Sequence, residues 1–192
     1  MKVRMSDAAR AYLAAAERHL DPAPPRLLAV GGLSGSGKST LARALAPELG
    51  APPGAVVLRS DEVRKRLFGR SPTEPLPRDA YTAEADARIH AALFASARQA
   101  LAAGASVILD ATFRDPARRA EALALHPAAR GVWLDAPDAV LRARVAARRD
   151  DASDADLAVL ERQLAARPAV TDWAMVDASA PLDAQCAAVR SH

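Results

Sequence analysis

From Arg26 onward the chain alternates between short apolar runs and longer stretches whose apolar residues recur at helical spacing. Leu27–Val30, Ala55–Leu58, Ser106–Leu109, Val132–Leu134 and Ala174–Val176 are compact, largely apolar runs. Runs of this length, bounded by Gly, Pro or charged residues, are what strands buried on both faces require. Helices are predicted between them, over about 38–49, 61–68, 79–103, 115–125, 137–149 and 154–166, with a last one at 181–190. The longest carries Tyr81, Ala85, Ile89, Leu93 and Ala97 every fourth residue, a stripe that reads as core. Regular strand–helix alternation implies right-handed crossovers and a parallel sheet covered on both faces, an α/β fold. Ligands of such sheets bind beyond the carboxyl ends of the strands, so polar residues that end a strand are the ones to examine.

Residues before Arg26 follow a different pattern. Ser6 to Leu20 predicts a helix capped by Ser6 or Asp7, with Tyr12, Leu13, Ala16 and Leu20 on one face. Asp21-Pro-Ala-Pro-Pro25 then stops it and forms a stiff connector. The chain therefore divides into residues 1–25, a helix and linker, and 26–192, a single domain. Gly69–Pro77, Arg149–Asp154 and Ala51–Gly54 read as loops.

Composition narrows the picture only slightly. Net charge is +3, and Lys2, Lys38 and Lys65 are the only lysines among 26 basic residues. Aromatic residues make up 4%, too few for an extended base-stacking platform, so nucleic acid is a possible partner but not the favoured one. Cys186 stands alone, which excludes an intrachain disulfide and suits a packing role. No run approaches the about 20 apolar residues of a spanning helix, and the N-terminus lacks a signal-peptide core. The expectation is a cytoplasmic protein without a membrane segment.

One motif carries most of the chemistry. Gly32-Leu-Ser-Gly-Ser-Gly-Lys-Ser39 fits G-x-x-x-x-G-K-[ST], and it lies between a predicted strand and a predicted helix. Gly32, Gly35 and Gly37 let the backbone bend, so that N–H groups around Ser34, Ser36 and Thr40 can face phosphate oxygens at a helix N-terminus. Lys38 reaches the β- and γ-phosphates, and the Ser39 hydroxyl can ligate Mg²⁺.

Other candidates lie at the next strand ends. Asp61 follows the second run; it can accept the proton of an attacking hydroxyl or hold that hydroxyl in line, or it can cap the helix that starts there. Ser60 is the competing cap. Arg64, one turn on, can grip an anionic or polyhydroxy acceptor. Asp110 ends Val107-Ile-Leu-Asp, an apolar strand closed by a carboxylate that can support Mg²⁺; an N-cap is the alternative. Thr112 and Arg114 follow it, Arg114 as a substrate-side candidate, whereas Arg118 and Arg119 are expected on an exposed helix face. Arg144 and Arg148 share a helix face before a polar loop and suit a lid that closes cations over a transferring phosphoryl group. Tyr81 and Arg78 can overhang the acceptor pocket. His90 and Trp133 read as structural, and Asp177–Ser179 after Trp173 offers a place for an adenine ring.

Together GGLSGSGKSTLA at 31–42, RSDEVRKRLFG at 59–69, GASVILDATF at 104–113 and the Arg144/Arg148 segment running into DASDADL at 151–157 resemble the small P-loop kinases of the nucleoside-monophosphate-kinase group. Gluconate kinase, adenylylsulfate kinase, chloramphenicol phosphotransferase, zeta toxin and polynucleotide kinase belong to that group. The chain is most similar to a family of AAA-type ATP-binding kinases within it. The resemblance implies a P-loop NTPase three-layer sandwich whose five-stranded parallel sheet has the order 2-3-1-4-5, with a helical lid at about 142–156. It implies ATP and Mg²⁺ as cofactors and transfer of the γ-phosphoryl group to a hydroxyl of a small metabolite. Asp61 falls where relatives place the acceptor base or positioner, and Lys38, Arg144 and Arg148 fall on the catalytic cations. Similar proteins carry an aminoglycoside-phosphotransferase-like domain, a candidate partner here. Adenylylsulfate kinases have Asp-Gly-Asp where this chain has Arg59-Ser-Asp61, which argues against sulfate activation and lies nearer to polynucleotide kinase. A 5′-hydroxyl kinase acting on polynucleotides or nucleosides is thus one alternative, and an ATPase or switch module acting through a protein partner is another.

Overall fold

A computed structural model describes residues 6–20, 23–71, 74–147 and 156–192. Five strands, β1 (Leu27–Gly32), β2 (Val56–Arg59), β3 (Val107–Asp110), β4 (Arg130–Asp135) and β5 (Ala174–Asp177), form one sheet. All neighbouring pairs are parallel, and the order is β2-β3-β1-β4-β5. Helices α2 (Lys38–Leu45), α3 (Ser60–Leu67), α4 (Ala83–Ala102), α5 (Pro116–Leu123), α6 (Asp138–Ala146), α7 (Leu157–Ala165) and α8 (Leu182–Ser191) cover both faces, while α1 (Asp7–Leu20) precedes β1 with Tyr12 and Leu13 exposed. This is the P-loop NTPase three-layer sandwich, in the strand order that the family resemblance implies.

The core follows from the strand composition. Every residue of β1 and β3 is buried, as central parallel strands demand. At the two edges the pattern loosens, and Val56 on β2 and Met175 on β5 are exposed. Ala85, Ile89, Leu93, Phe94, Ala97 and Leu101 of α4 are buried, close to the predicted stripe. Tyr81 departs from that stripe. Arg78–Tyr81 forms a separate 3₁₀ turn, and Thr82 caps α4 by accepting from Ala85 N at 3.2 Å, so the Tyr81 ring sits outside the helix and is 44% exposed.

Strand register sets the site. Arg59 pairs with Asp110 and Val30 pairs with Asp110 on the other side, while Asp135 pairs with Asp177. The polar residues that close the strands therefore lie along one edge, each one residue beyond the apolar run that marked the strand. Among the described residues no helix is long and apolar enough to cross a membrane, and Cys186 is a free, buried thiol.

Candidate active site

A cleft of about 430 Å³ opens along the carboxyl edge of the sheet. Its floor is the turn between β1 and α2. Gly35 holds a left-handed conformation there (φ 81°), and a Cβ on it would stand 2.7 Å from the Leu141 carbonyl, so only glycine lets α6 pack this closely. Ser34, Gly35, Gly37, Lys38, Ser39 and Thr40 line the cleft. Gly32 turns into the loop from β1, and the buried Ser36 hydroxyl has no hydrogen-bond partner among the described residues. Lys38 Nζ donates to the Leu33 carbonyl at 2.9 Å.

Ser39 Oγ donates to Asp110 Oδ2 at 2.6 Å, which brings together the two residues proposed from sequence to support Mg²⁺. Asp110 is 4% exposed, and burial pushes its carboxyl above the usual carboxylate range against the pull of Lys38 and the Ser39 hydroxyl. No group of three or more His, Cys, Asp or Glu side chains gathers as a metal site among the described residues. One hydroxyl and one carboxylate, completed by phosphate oxygens and water, are the donors Mg²⁺ takes in nucleotide sites. A carboxylate strained by burial beside them fits a cation. The N-cap alternative for Asp110 does not hold, because α5 starts later and is capped by Asp115.

Asp61 lies in the first turn of α3, half-buried on the cleft wall. The helix begins at Ser60 with Arg59 at the cap position and no side-chain cap, so neither Asp61 nor Ser60 is spent there. Among the described residues the Asp61 carboxylate takes no hydrogen-bond or ion-pair partner. Arg64 lines the same wall but is already engaged. Its guanidinium donates to the Ala80 carbonyl, pairs with Asp86 at 2.6 Å and lies 5.1 Å from the centroid of the Tyr81 ring. Arg64 thus builds the wall and holds Tyr81 over it. Thr112 and Arg114 reach the cleft from the turn after β3.

Arg144 lines the opposite side and donates to the Ala178 carbonyl at 2.9 Å. Arg148 lies outside the described residues, as does the polar stretch 150–154. Asp177–Ser179 does not line the cleft; it touches it only through that Ala178 carbonyl. Trp173 is buried against Phe113, with ring centroids 5.0 Å apart.

Three features of the cleft and one residue behind it were not foreseen. Arg59, 6% exposed, bridges Asp110 (3.3 Å) and Glu62 (3.1 Å). From α7, Gln163 accepts the Ser34 amide at 2.9 Å, and Arg162 stands beside it on the cleft wall. His90 also lines the cleft: Nδ1 meets the Asp86 carbonyl at 2.9 Å, Nε2 is buried without a partner among the described residues, and burial lowers its pKa, which favours the neutral ring. Finally Arg119, expected at the surface, is 2% exposed; it turns inward to bond the backbone carbonyls of Phe113 and Arg114. Phe113 itself has φ 46°, a conformation that costs an L-residue about 1–2 kcal/mol.

Comparison with known proteins adds family and fold. The AAA_33 family model, described as an AAA domain, matches residues 27–170. Uncharacterized protein Rv2004c of Mycobacterium tuberculosis is 39% identical over 176 residues, covering 88% of this chain and 34% of that protein. Uncharacterized protein Mb2027c of Mycobacterium bovis matches to the same extent, so the chain spans about a third of the length of these relatives. Among solved structures, a sugar kinase from Janibacter sp. HTCC2649 superposes with a TM-score of 0.69 at 23% identity, over 88% of this chain and 94% of that one. A gluconokinase from Sinorhizobium meliloti 1021 gives 0.56 at 21% identity, over 87% and 93%. A chain of the Pnkp1/Rnl/Hen1 RNA repair complex gives 0.57 at 24% identity, over 75% and 44%. These structural likenesses establish the fold.

Proposed function

This chain belongs to the AAA_33 family of AAA domains, and from that premise we propose that it is an ATP-dependent phosphotransferase that moves the γ-phosphoryl group to a hydroxyl of a small metabolite. The observation that carries the reading is the Asp61 carboxylate, unspent by its helix and facing the same cleft as Lys38 and Ser39.

The chemistry follows from charge and proximity. The loop amides and Lys38 hold the triphosphate; Ser39 and Asp110 would hold Mg²⁺, which would neutralise phosphate charge. The acceptor hydroxyl lies against Asp61, which fixes it in line and takes its proton. The new O–P bond forms as the bond between the γ-phosphorus and the bridging oxygen breaks, and ADP leaves. Arg144 and Arg162 face charge that spreads over the equatorial oxygens; Arg148 is assigned the same task from its sequence position. Tyr81, Arg64 and Arg114 shape the acceptor end. The solved neighbours described as a sugar kinase and a gluconokinase make sugars and sugar acids the first acceptors to try. The reading also includes a cytoplasmic location and, given the greater length of the mycobacterial relatives, an aminoglycoside-phosphotransferase-like domain as partner.

The test follows labelled γ-phosphate from Mg²⁺–ATP with wild type and Asp61→Asn, against pooled sugars, sugar acids and other hydroxyl metabolites and a 5′-hydroxyl oligonucleotide. Label is expected on a small acceptor, and Asp61→Asn is expected to slow transfer by about 10²–10⁴-fold. Label on the oligonucleotide alone would replace the small acceptor with a nucleic acid. Label released only as free phosphate, at equal rates in both proteins, would sink the kinase reading in favour of an ATPase or switch.

A further inference from the structure

We propose that buried Arg119, anchored by Asp172, is a positioning residue that holds the 112–114 turn so that Thr112 and Arg114 face the acceptor. The inference rests on the phosphotransferase reading above.

The turn after β3 needs a restraint. Phe113 sits in the left-handed region at φ 46°, the one described non-glycine residue to do so, and chains leave that region when nothing holds them. Its ring packs on Trp173 and stands 6.2 Å from His90, which fixes the side chain but not the peptide planes that aim its neighbours. Arg119 fixes those planes. Nη1 donates to the Phe113 carbonyl at 3.0 Å and the Arg114 carbonyl at 3.2 Å, while Nε meets both Asp172 oxygens at 3.0 and 2.9 Å. One planar guanidinium thereby ties two consecutive carbonyls to a carboxylate outside the turn. On the other side the Thr112 carbonyl accepts from Gly32 N at 3.3 Å, which fastens the turn to the start of the phosphate loop.

The orientation has a consequence for substrate. Thr112 and Arg114 line the main cleft together with Asp61, and both also line a second cavity of about 370 Å³ that adjoins it, with His90 and Asp86 between. This is the acceptor end, away from Lys38 and the phosphate loop. Arg119 touches neither cavity, so it acts through the residues it holds.

Two variants separate positioning from plain stability. Arg119→Lys keeps the charge toward Asp172 but loses the planar fork; Asp172→Asn keeps Arg119 and weakens its anchor. Both are made in the full chain, and backbone amide exchange is measured first, without nucleotide. Exchange is expected to rise at 112–115 and stay unchanged at 35–41 and in α4. Steady-state kinetics then use the acceptor that label transfer identifies. Arg119→Lys is expected to raise the acceptor KM by about tenfold or more and leave the ATP KM within about twofold, since small misplacements of orienting groups carry penalties of that order. Asp172→Asn should move the same quantities in the same direction by less, and it decides alone where Arg119→Lys does not fold. Unchanged acceptor KM, or both KM values rising together with exchange along the whole chain, overturns the proposal. If wild type labels no acceptor, the phosphotransferase reading has failed, and exchange still decides for the clamp: a rise confined to 112–115 upholds it, and no such rise overturns it.

Discussion

Asp110 shows how a carboxylate buried at the cleft works against the fold that carries it. Burial raises its carboxyl above the ordinary value of 3.8, so the folded protein binds that proton more readily than the unfolded chain does. Stability from this group is therefore fully present below the ordinary value and is lost as pH rises through the raised folded value. Asp110→Asn is expected to raise the thermal midpoint of nucleotide-free protein at pH 7, with the gain vanishing near pH 4, while phosphoryl transfer collapses. A midpoint below wild type at pH 7 would mean that Arg59 and Ser39 outweigh burial. Asp110 and Asp61 were legible because each is a carboxylate closing or following an apolar run, and Lys38 and Ser39 because the motif fixes them. Arg119 and Gln163 were not. Their partners lie 53 and 129 residues away, and nothing local distinguishes a buried arginine on α5 from its half-buried neighbour Arg118.

Elements were legible where apolar periodicity alone decides them, and less so at their ends. The strands gain a terminal Arg59, Asp110 or Asp177 because the ladder continues one residue past the apolar run. The helix predicted from residue 79 instead starts at Ala83, since the Thr82 hydroxyl offers a cap and Arg78–Tyr81 closes as its own turn. Helix α2 stops at Leu45 because Pro47 cannot extend it. The packing of β4 on Trp173 was invisible beforehand. A Cβ at Gly131 would lie 2.3 Å from the indole, so the ring needs a bare backbone beneath it. Gly131→Ala is expected to destabilise by about 1–3 kcal/mol through overpacking, read as a lower urea midpoint at unchanged slope. An unchanged midpoint would show that the Trp173 ring slides aside freely.

At the scale of the whole molecule, periodicity supplies five strands but no neighbours; the order came from the resemblance the motifs carry. The sheet edge then gathers residues from the β1–α2 loop, α3, the turn after β3, and α7 into one cleft, so a ligand there binds only the folded chain. Mg²⁺–ADP at 100 times its Kd is expected to add about 2.7 kcal/mol. For a domain of this size that amounts to roughly 5–10 °C in melting temperature. Lys38→Ala should abolish most of the shift; an equal shift in the variant would place the nucleotide elsewhere. The same strand order governs how the molecule is made. Central β1 leaves the ribosome before its partners β3 and β4, which pair with it from about 80 and 100 residues downstream. A nascent chain that has emerged only as far as Asp110 can join β2, β3 and β1, but the far side of β1 stays an unpaired apolar edge until residues 130–134 appear. Synthesis through that interval is the stage at which the chain is most open to edge-to-edge pairing.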